Sequence, residues 1–225
     1  MVSVQGLKIL YVNPNSTHAM TDSVVAVAKN SLTEANIIGW TNLSGPPAIL
    51  GEADGKAAVA GVLDLLPAAA AEGFDCLVIA CFDDTGLNEI RTLAHCPVLG
   101  IGQAAYHMAV LSGRRFSVVT TLPVSVPVLE GNIRHYGLLG SCVSVRASGL
   151  AVLEVENGGT NVETRLKSEL EAASAEGADV VVLGCAGMAR FRRPLQVSTG
   201  LNVIDGVEAS ATLATALCRQ RSLSG

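Results

Sequence analysis

The sequence contains few aromatic and few charged residues. Aromatic residues make up 4% of the chain and charged residues 16%, whereas hydrophobic residues make up 49% and the mean hydropathy is +0.44. The hydrophobic surplus consists of Ala, Val and Leu, which is typical of parallel strands that helices cover on both faces. Because no run of about 18 uncharged apolar residues is present, the sequence predicts no membrane span and no membrane partner.

The sequence also lacks the features of several other protein classes. The N-terminus has no basic stretch followed by an apolar segment, so we predict no signal peptide and expect a cytoplasmic protein with mostly reduced cysteines. The cysteines form no Cys-x-x-Cys pair and no cluster with histidine, so no metal site is predicted. The net charge of −5 and the scattered arginines argue against a nucleic-acid partner.

Signatures of organic cofactors are missing as well. No lysine stands at the end of a predicted strand, where it could form a Schiff base with pyridoxal phosphate. Gly100 and Gly102 form a Gly-x-Gly, but the rest of the dinucleotide-binding fingerprint is absent. The sequence therefore predicts no cofactor.

The most informative feature that is present is an internal repeat. Residues 69–81 and 173–185 align without gaps at an offset of 104 residues, and seven of the thirteen positions are identical. Each copy comprises a helix end, an Asp-led turn, a buried strand and a final cysteine. The identical pairs are Ala69/Ala173, Ala71/Ala175, Glu72/Glu176, Gly73/Gly177, Asp75/Asp179, Val78/Val182 and Cys81/Cys185.

Strand and helix patterns around the repeat alternate along the whole chain. Strands are predicted at 7–12, 36–41, 76–81, 98–101, 116–120, 143–147, 180–185 and 203–205. Helices are predicted at 19–32, 56–72, 84–94, 126 to about 136, 160–176, 187–193 and 207–219, with long loops at 42–55 and 149–159. The pattern predicts an α/β fold of two pseudo-symmetric lobes, each a mainly parallel sheet flanked by helices, with an active site in the inter-lobe cleft. The alternative is one unduplicated nine-strand sheet.

Cys81 and Cys185 are the candidate catalytic residues. Each lies at the carboxyl end of a strand, where open α/β sheets bind ligands. We expect a helix to begin directly after each cysteine, so that its N–H groups and dipole lower the pKa of the thiol and can hold an oxyanion. Two opposed thiols around one carbon are the geometry of a cofactor-free racemase, in which one thiolate removes a proton and the other thiol supplies one.

A single cysteine of this kind is more often a small buried hydrophobic residue than a catalyst. The repeat makes the catalytic interpretation preferable for Cys81 and Cys185. The remaining cysteines have no symmetric counterpart, and we expect them to be structural: Cys76, Cys96, Cys142 and Cys218.

Residues near the strand ends are the candidates for substrate binding. Asn13 and Thr120 end the first strand of each lobe, although plain turn formation explains them equally well. Asp83 and Asp84 either cap the following helix or line the pocket, in which case they disfavour a free carboxylate and favour a neutral ring or amide. The predicted substrate-binding set is Asn13, Phe82, Asp83, Thr120, Ala186 and Gly187.

At these residues the sequence resembles the Asp/Glu/hydantoin racemase superfamily, and most closely its hydantoin racemase branch. Five motifs that occur in the order found in the family carry the resemblance: Val-Asn-Pro-Asn-Ser at 12–16, Ile-Ala-Cys-Phe-Asp-Asp-Thr-Gly at 79–86, Ser-Val-Val-Thr-Thr-Leu at 117–122, Val-Leu-Gly-Cys-Ala-Gly-Met-Ala at 182–189 and Ile-Asp-Gly-Val at 204–207. The family's hydantoin racemases carry Cys-Phe-Gly-Asp-Pro-Gly after the first cysteine. Here Asp83 adds a charge and Thr85 replaces a rigid proline.

The resemblance implies a cofactor-independent two-base racemase that acts on a small molecule. Cys81 and Cys185 match the two catalytic cysteines of the family, and the subunits are expected to form a homo-oligomer. The final helix is expected to return to the first lobe, which gives residues 1–104 plus 205–225 as the first lobe and 105–204 as the second. Family substrates include 5-monosubstituted hydantoins and allantoin, and relatives with other cysteine arrangements racemise amino acids.

We therefore expect racemisation of a 5-monosubstituted hydantoin or related cyclic ureide. The alternatives are an allantoin racemase, an amino-acid racemase of the Asp/Glu type and, from a different class, a non-catalytic binding protein with a bilobal cleft.

Overall fold

The structure is a computed structural model that describes residues 6–113 and 115–223. The strands are β1 Lys8–Asn13, β2 Asn36–Thr41, β3 Cys76–Ile79, β4 Val98–Gly100, β5 Phe116–Thr120, β6 Cys142–Ala147, β7 Val180–Leu183 and β8 Asn202–Asp205. The helices are α1 His18–Ser31, α2 Glu52–Glu72, α3 Leu87–Leu93, α4 Ile101–Ser112, α5 Val126–His135, α6 Val152–Asn157, α7 Thr160–Ala175, α8 Arg192–Thr199 and α9 Gly206–Leu223. Short 3₁₀ turns occupy Pro123–Ser125, Leu139–Ser141 and Ala186–Phe191.

The strands form two parallel four-stranded sheets with the same topology. The order is β2-β1-β3-β4 in the first sheet and β6-β5-β7-β8 in the second. The predicted duplication into two α/β lobes is thus confirmed, and the single nine-strand sheet is wrong. In both sheets the connections reverse direction between the two central strands, which opens a crevice at their carboxyl ends.

Sequence pattern explains why these segments adopt these elements. All residues of β3 and β7 are buried, as expected for central strands that helices cover on both faces. In α7 the buried residues recur every three or four positions and form one apolar face. Val12 lies opposite Ile79 in the first sheet and Val119 opposite Leu183 in the second, so the loops after the central strands emerge side by side.

Aromatic contacts and hydrogen bonds connect the two lobes. Tyr106 in α4 meets the Phe82 ring edge-on at 5.4 Å between centroids and stacks on Phe116 of the second lobe at 6.0 Å. Asn132 in α5 donates a 2.9 Å hydrogen bond to the carbonyl oxygen of Asp83. The aromatic contacts belong to a hydrophobic core that runs from one sheet to the other, so the cleft lies between lobes that share a core.

The final helix returns to the first lobe. The Tyr11 hydroxyl in β1 lies 3.0 Å from the Ser210 hydroxyl in α9, and α9 also packs against α1 and α4. We propose on these contacts that residues 205–225 belong to the first lobe. The predicted boundary between residues 104 and 105 falls inside α4, which therefore acts as the connection between the lobes.

Some elements differ from the sequence prediction. The helix α4 was not predicted, and the predicted strand at 98–101 ends at Gly100. Gly102 is needed in α4, since a Cβ would lie 2.3 Å from the Phe82 carbonyl oxygen. The predicted loop at 149–159 contains α6, and α8 was not predicted. The helix α2 begins at Glu52 and continues through Pro67, whose ring lies on the exposed side. Among the described helices, none has both the length and the hydrophobicity that a bilayer crossing demands.

Candidate active site

Cys81 and Cys185 border the same cavity. Each lies two residues beyond the end of a central strand, β3 in the first lobe and β7 in the second. The cavity has a volume of about 30 Å³ and receives residues from both lobes. Its polar walls, besides the thiols, are Asn15, Asp83, Thr120, Thr121 and Ser125. Its bulkier apolar walls are Met20, Ile49, Phe82 and Val152.

Burial dominates the acidity of both thiols. It raises the pKa of Cys81 well above the ordinary value, and the neighbouring Asp83 carboxylate raises that pKa further. Burial likewise raises the pKa of Cys185 to about 12. Hydrogen bonds from the backbone N–H groups of Gly187 and Met188 lower this pKa, but by less than burial raises it. Both residues are half-buried and touch the cavity, and the protein atoms packed around their sulfurs limit the solvation of a thiolate.

The expectation that a helix N-terminus lowers both pKa values is wrong. A 3₁₀ turn, Ala186–Phe191, follows Cys185, and an irregular turn separates Cys81 from α3, which begins only at Leu87. The N–H groups that face the sulfurs are present, but no α-helix dipole adds to them. Desolvation therefore outweighs the local hydrogen bonds.

Asp83 is the third acidic group at the cavity. Its Oδ2 atom is buried and has no hydrogen-bond partner, and burial raises the pKa of the carboxyl to about 7. Among the described residues that line the cavity, none is Lys, Arg or His. The cavity thus contains acids and hydrogen-bonding groups without a cation to balance them.

Asp84 has a different role from its neighbour. Its carboxylate accepts hydrogen bonds from the N–H groups of Gly102 at 3.0 Å and Gln103 at 2.7 Å, and from the Tyr136 hydroxyl at 2.8 Å. It therefore caps α4 rather than the helix that follows it in sequence, and it links α4 to the second lobe. Its φ of 51° is left-handed, a conformation that aspartate tolerates better than most residues.

The first strand end of each lobe contributes to the cavity in its own way. The Asn13 amide donates to Asn15, Thr21 and the Thr17 carbonyl, and its oxygen accepts the Asn15 N–H, so Asn13 organises the loop. Asn15, not Asn13, reaches the cavity wall. Thr120 does line the cavity, and its hydroxyl donates to the Gly184 carbonyl at 3.0 Å.

The residues beside the cysteines divide similarly. Phe82 and Ala186 line the cavity, as does Asp83. Gly187 does not, but its N–H faces the Cys185 sulfur, and a Cβ there would lie 2.9 Å from a Glu156 carboxylate oxygen. Gly187 therefore acts on the site through its backbone.

A loop of the first lobe covers one side of the cavity. Ile49 lines the cavity, and the carbonyl of the next residue, Leu50, accepts a 3.2 Å hydrogen bond from Ser125 of the second lobe. The Asn42 amide anchors the loop base by donating to the Pro14 and Ala58 carbonyls. The sequence indicated a functional loop here but did not single out Ile49 or Ser125. Thr121 and Ser125 follow β5, which is the counterpart of β1 in the second lobe. This position was the signal in the sequence that could have identified them.

A duplicated α/β fold that brings one thiol from each lobe to a shared cavity defines the class of protein, an isomerase of the racemase type. The model of the Asp/Glu/hydantoin racemase family matches residues 9–214. The chain therefore belongs to the Asp/Glu/hydantoin racemase family.

Individual relatives agree with this assignment. The hydantoin racemase of Rhizobium meliloti is 44% identical over 215 residues, which are 94% of this chain and 88% of the relative. Allantoin racemase from Klebsiella pneumoniae superposes with a TM-score of 0.91 at 35% identity, covering 96% of this chain and 89% of the other. Allantoin racemase from Pseudomonas fluorescens gives 0.90 at 34% identity, covering 96% and 92%.

Proposed function

We propose that the protein racemises a 5-monosubstituted hydantoin or a related cyclic ureide without a cofactor, by proton transfer between Cys81 and Cys185. The observation that supports this proposal most is that two thiols from matching positions of the repeat border one cavity. The similarity to hydantoin racemases and to allantoin racemases supports the substrate class.

The proposed reaction moves one proton at a time. The hydrogen at ring carbon 5 is acidic because the neighbouring carbonyl takes up the negative charge as an enolate. One cysteine thiolate removes this proton and becomes a thiol, and the opposite thiol then protonates the other face and becomes a thiolate. The raised thiol pKa values suit this step, since a thiolate of higher pKa is a stronger base toward a weak carbon acid.

The charge of the cavity favours a neutral substrate over a free amino acid. An α-carboxylate would meet Asp83 without a lysine, arginine or histidine on the described cavity wall to neutralise it. In a water-poor cavity two unpaired carboxylates repel strongly, because the local dielectric constant is low. The amino-acid racemase alternative is therefore less well supported than allantoin racemisation, whose substrate is neutral.

The test is a screen of single-enantiomer substrates, followed by loss of optical rotation. The panel comprises 5-alkyl and 5-arylalkyl hydantoins, allantoin, and free aspartate and glutamate. We expect kcat/KM for a cyclic ureide to exceed that for either amino acid by at least about tenfold. A higher kcat/KM for a free amino acid would overturn the assignment and favour the amino-acid racemase alternative.

The proposal includes two further properties that the family resemblance suggests. We expect the enzyme to work in the cytoplasm, where its cysteines stay reduced. We also expect it to be a homo-oligomer, which light scattering on the purified protein measures directly. A monomer at all concentrations would refute the second expectation and leave the chemistry unaffected.

A further inference from the structure

The Asp83 carboxylate contains an unused hydrogen-bond acceptor beside the cavity. Oδ2 is buried and has no partner among the described residues, and the side chain is part of the cavity wall that also contains both thiols. Buried polar atoms are almost always hydrogen-bonded, because an unpaired one forfeits its interaction with water. An acceptor left free at a binding cavity indicates that the ligand supplies the donor.

Neighbouring protein groups are committed elsewhere. The Asn132 amide donates to the backbone carbonyl of Asp83 and not to its carboxylate. The adjacent carboxylate, on Asp84, accepts hydrogen bonds from two backbone N–H groups and from the Tyr136 hydroxyl. With no lysine, arginine or histidine on the described cavity wall, no cationic side chain there donates to Asp83, and the acceptor is open to a donor of the substrate.

The position of Asp83 selects one donor on a cyclic ureide. Asp83 follows Cys81 by two residues and lines the same cavity as Cys81 and Cys185. The reacting carbon has to lie between those sulfurs. When the ring N–H bonded directly to that carbon is turned toward Asp83, it lies nearer the carboxylate than the second ring N–H, which stands between the two carbonyls.

We propose that the Asp83 carboxylate accepts a hydrogen bond from the ring N–H that is bonded to the reacting carbon, which makes Asp83 a specificity-determining residue. The inference rests on the proposed function. It assigns to Asp83 a positive requirement for an N–H donor, in addition to its repulsion of carboxylates. The substrates selected are those in which the nitrogen beside the stereocentre carries a hydrogen.

The experiment combines three substrates with four enzymes. The substrates are 5-methylhydantoin and its two ring N-methyl derivatives, one methylated on the nitrogen beside the stereocentre and the other on the nitrogen between the carbonyls. The enzymes are the wild type, Asp83→Ala, Asp83→Asn and, as a matched control on an exposed face of α2, Asp64→Ala. Each comparison of kcat/KM is made between substrates on one enzyme preparation, so a misfolded fraction cancels.

We expect the wild type and Asp64→Ala to lose about ten- to a hundredfold in kcat/KM when the nitrogen beside the stereocentre is methylated, as a lost hydrogen bond to a charged acceptor implies. Asp83→Ala should erase most of this discrimination. Asp83→Asn should keep part of it, because its amide oxygen still accepts. Methylation of the other nitrogen should matter little in any of these enzymes.

Two results would overturn the inference while leaving the proposed function intact. One is equal discrimination by wild type and Asp83→Ala, which would make the methyl effect purely steric. The other is a larger loss from methylation between the carbonyls that depends on Asp83. Failure of the wild type to racemise 5-methylhydantoin and the other cyclic ureides would refute the proposed function and the inference with it.

Discussion

At the scale of single residues, the cavity contains three acids that compete for negative charge. Burial raises the pKa of Asp83 to about 7, below the raised pKa values of the two thiols. At neutral pH the first negative charge therefore resides on Asp83, and the thiols are protonated. A thiolate forms more readily when Asp83 is protonated, because two charges in one cavity repel each other.

Replacement of either thiol tests the proposed roles. Cys81→Ala and Cys185→Ala should each lower racemisation by about a hundred- to ten-thousandfold, the usual contribution of a general acid or base. In D₂O each variant should still exchange the hydrogen of one enantiomer at most. Cys142→Ala is the control, because Cys142 is a half-buried cysteine on the edge strand β6. This variant should behave like the wild type. Near-normal turnover by both catalytic-site variants would refute the two-thiol mechanism.

The raised thiol pKa values predict a pH dependence. Because a thiol with a raised pKa is protonated at neutral pH, its thiolate fraction rises about tenfold per pH unit until that pKa is reached. Alkylation of Cys185 by iodoacetamide, followed by mass spectrometry of its peptide, should therefore accelerate throughout pH 7 to 10, as the pKa of about 12 requires. A plateau below pH 8 would show instead that the thiol is acidified.

The internal repeat was the strongest guide to site residues in the sequence, although the catalytic role of those residues stays a prediction. The repeat brought out Cys81 and Cys185, and both border the cavity. It could not show that Asn15 rather than Asn13 faces the cavity. That outcome depends on the hydrogen bonds within the turn, which use the side chain of Asn13. Nor could it show the raised pKa values, because burial depends on packing between the lobes.

At the scale of elements, strands were easier to predict than helices. The central strands β3 and β7 are short apolar runs, and β2 was predicted with its observed limits, Asn36–Thr41. The helix α6 was missed because it has only two buried anchors, Val152 and Val155, which are too few to establish a helical period. The extent of α2 was misjudged because Glu52 follows a Gly- and Pro-rich segment that reads as loop.

The cap of α9 carries a prediction about stability. Asp205 accepts the N–H groups of Val207 and Glu208, and burial, assisted by Glu208, raises its pKa to about 7. In the unfolded chain an aspartate titrates near pH 3.9. Because the folded protein holds this proton more tightly, the free energy of unfolding should fall as pH rises from about 4 to about 7.

Asp205→Asn is the matched variant, since asparagine caps a helix about as well as aspartate but does not titrate. Urea unfolding at pH 5 and pH 8 should show a smaller loss of stability with pH for Asp205→Asn than for the wild type. Asp64→Asn, on the exposed face of α2, should retain the wild-type slope. Identical slopes for Asp205→Asn and wild type would contradict the raised pKa.

At the scale of the whole molecule, the absence of a requirement for metal is a testable expectation. The described residues contain no group of three or more His, Cys, Asp or Glu side chains arranged to hold a metal ion. Racemisation should therefore survive EDTA and dialysis but fall with iodoacetamide, against which substrate should protect. Activity that disappears in EDTA and returns with zinc or manganese would refute this expectation.

The matching strand order of the two lobes has a consequence for the kinetics of the two mirror-image substrates. Enantiomers have equal free energies in water, so thermodynamics requires equal kcat/KM values for the forward and reverse reactions, whatever the enzyme's shape. The individual kcat and KM values are under no such constraint. The lobes differ next to the thiols, where Phe82 and Asp83 of the first lobe correspond to Ala186 and Gly187 of the second. Because of this local asymmetry, the two enantiomers of the substrate should have different KM values. Their kcat values should differ by the same factor, so that kcat/KM stays equal.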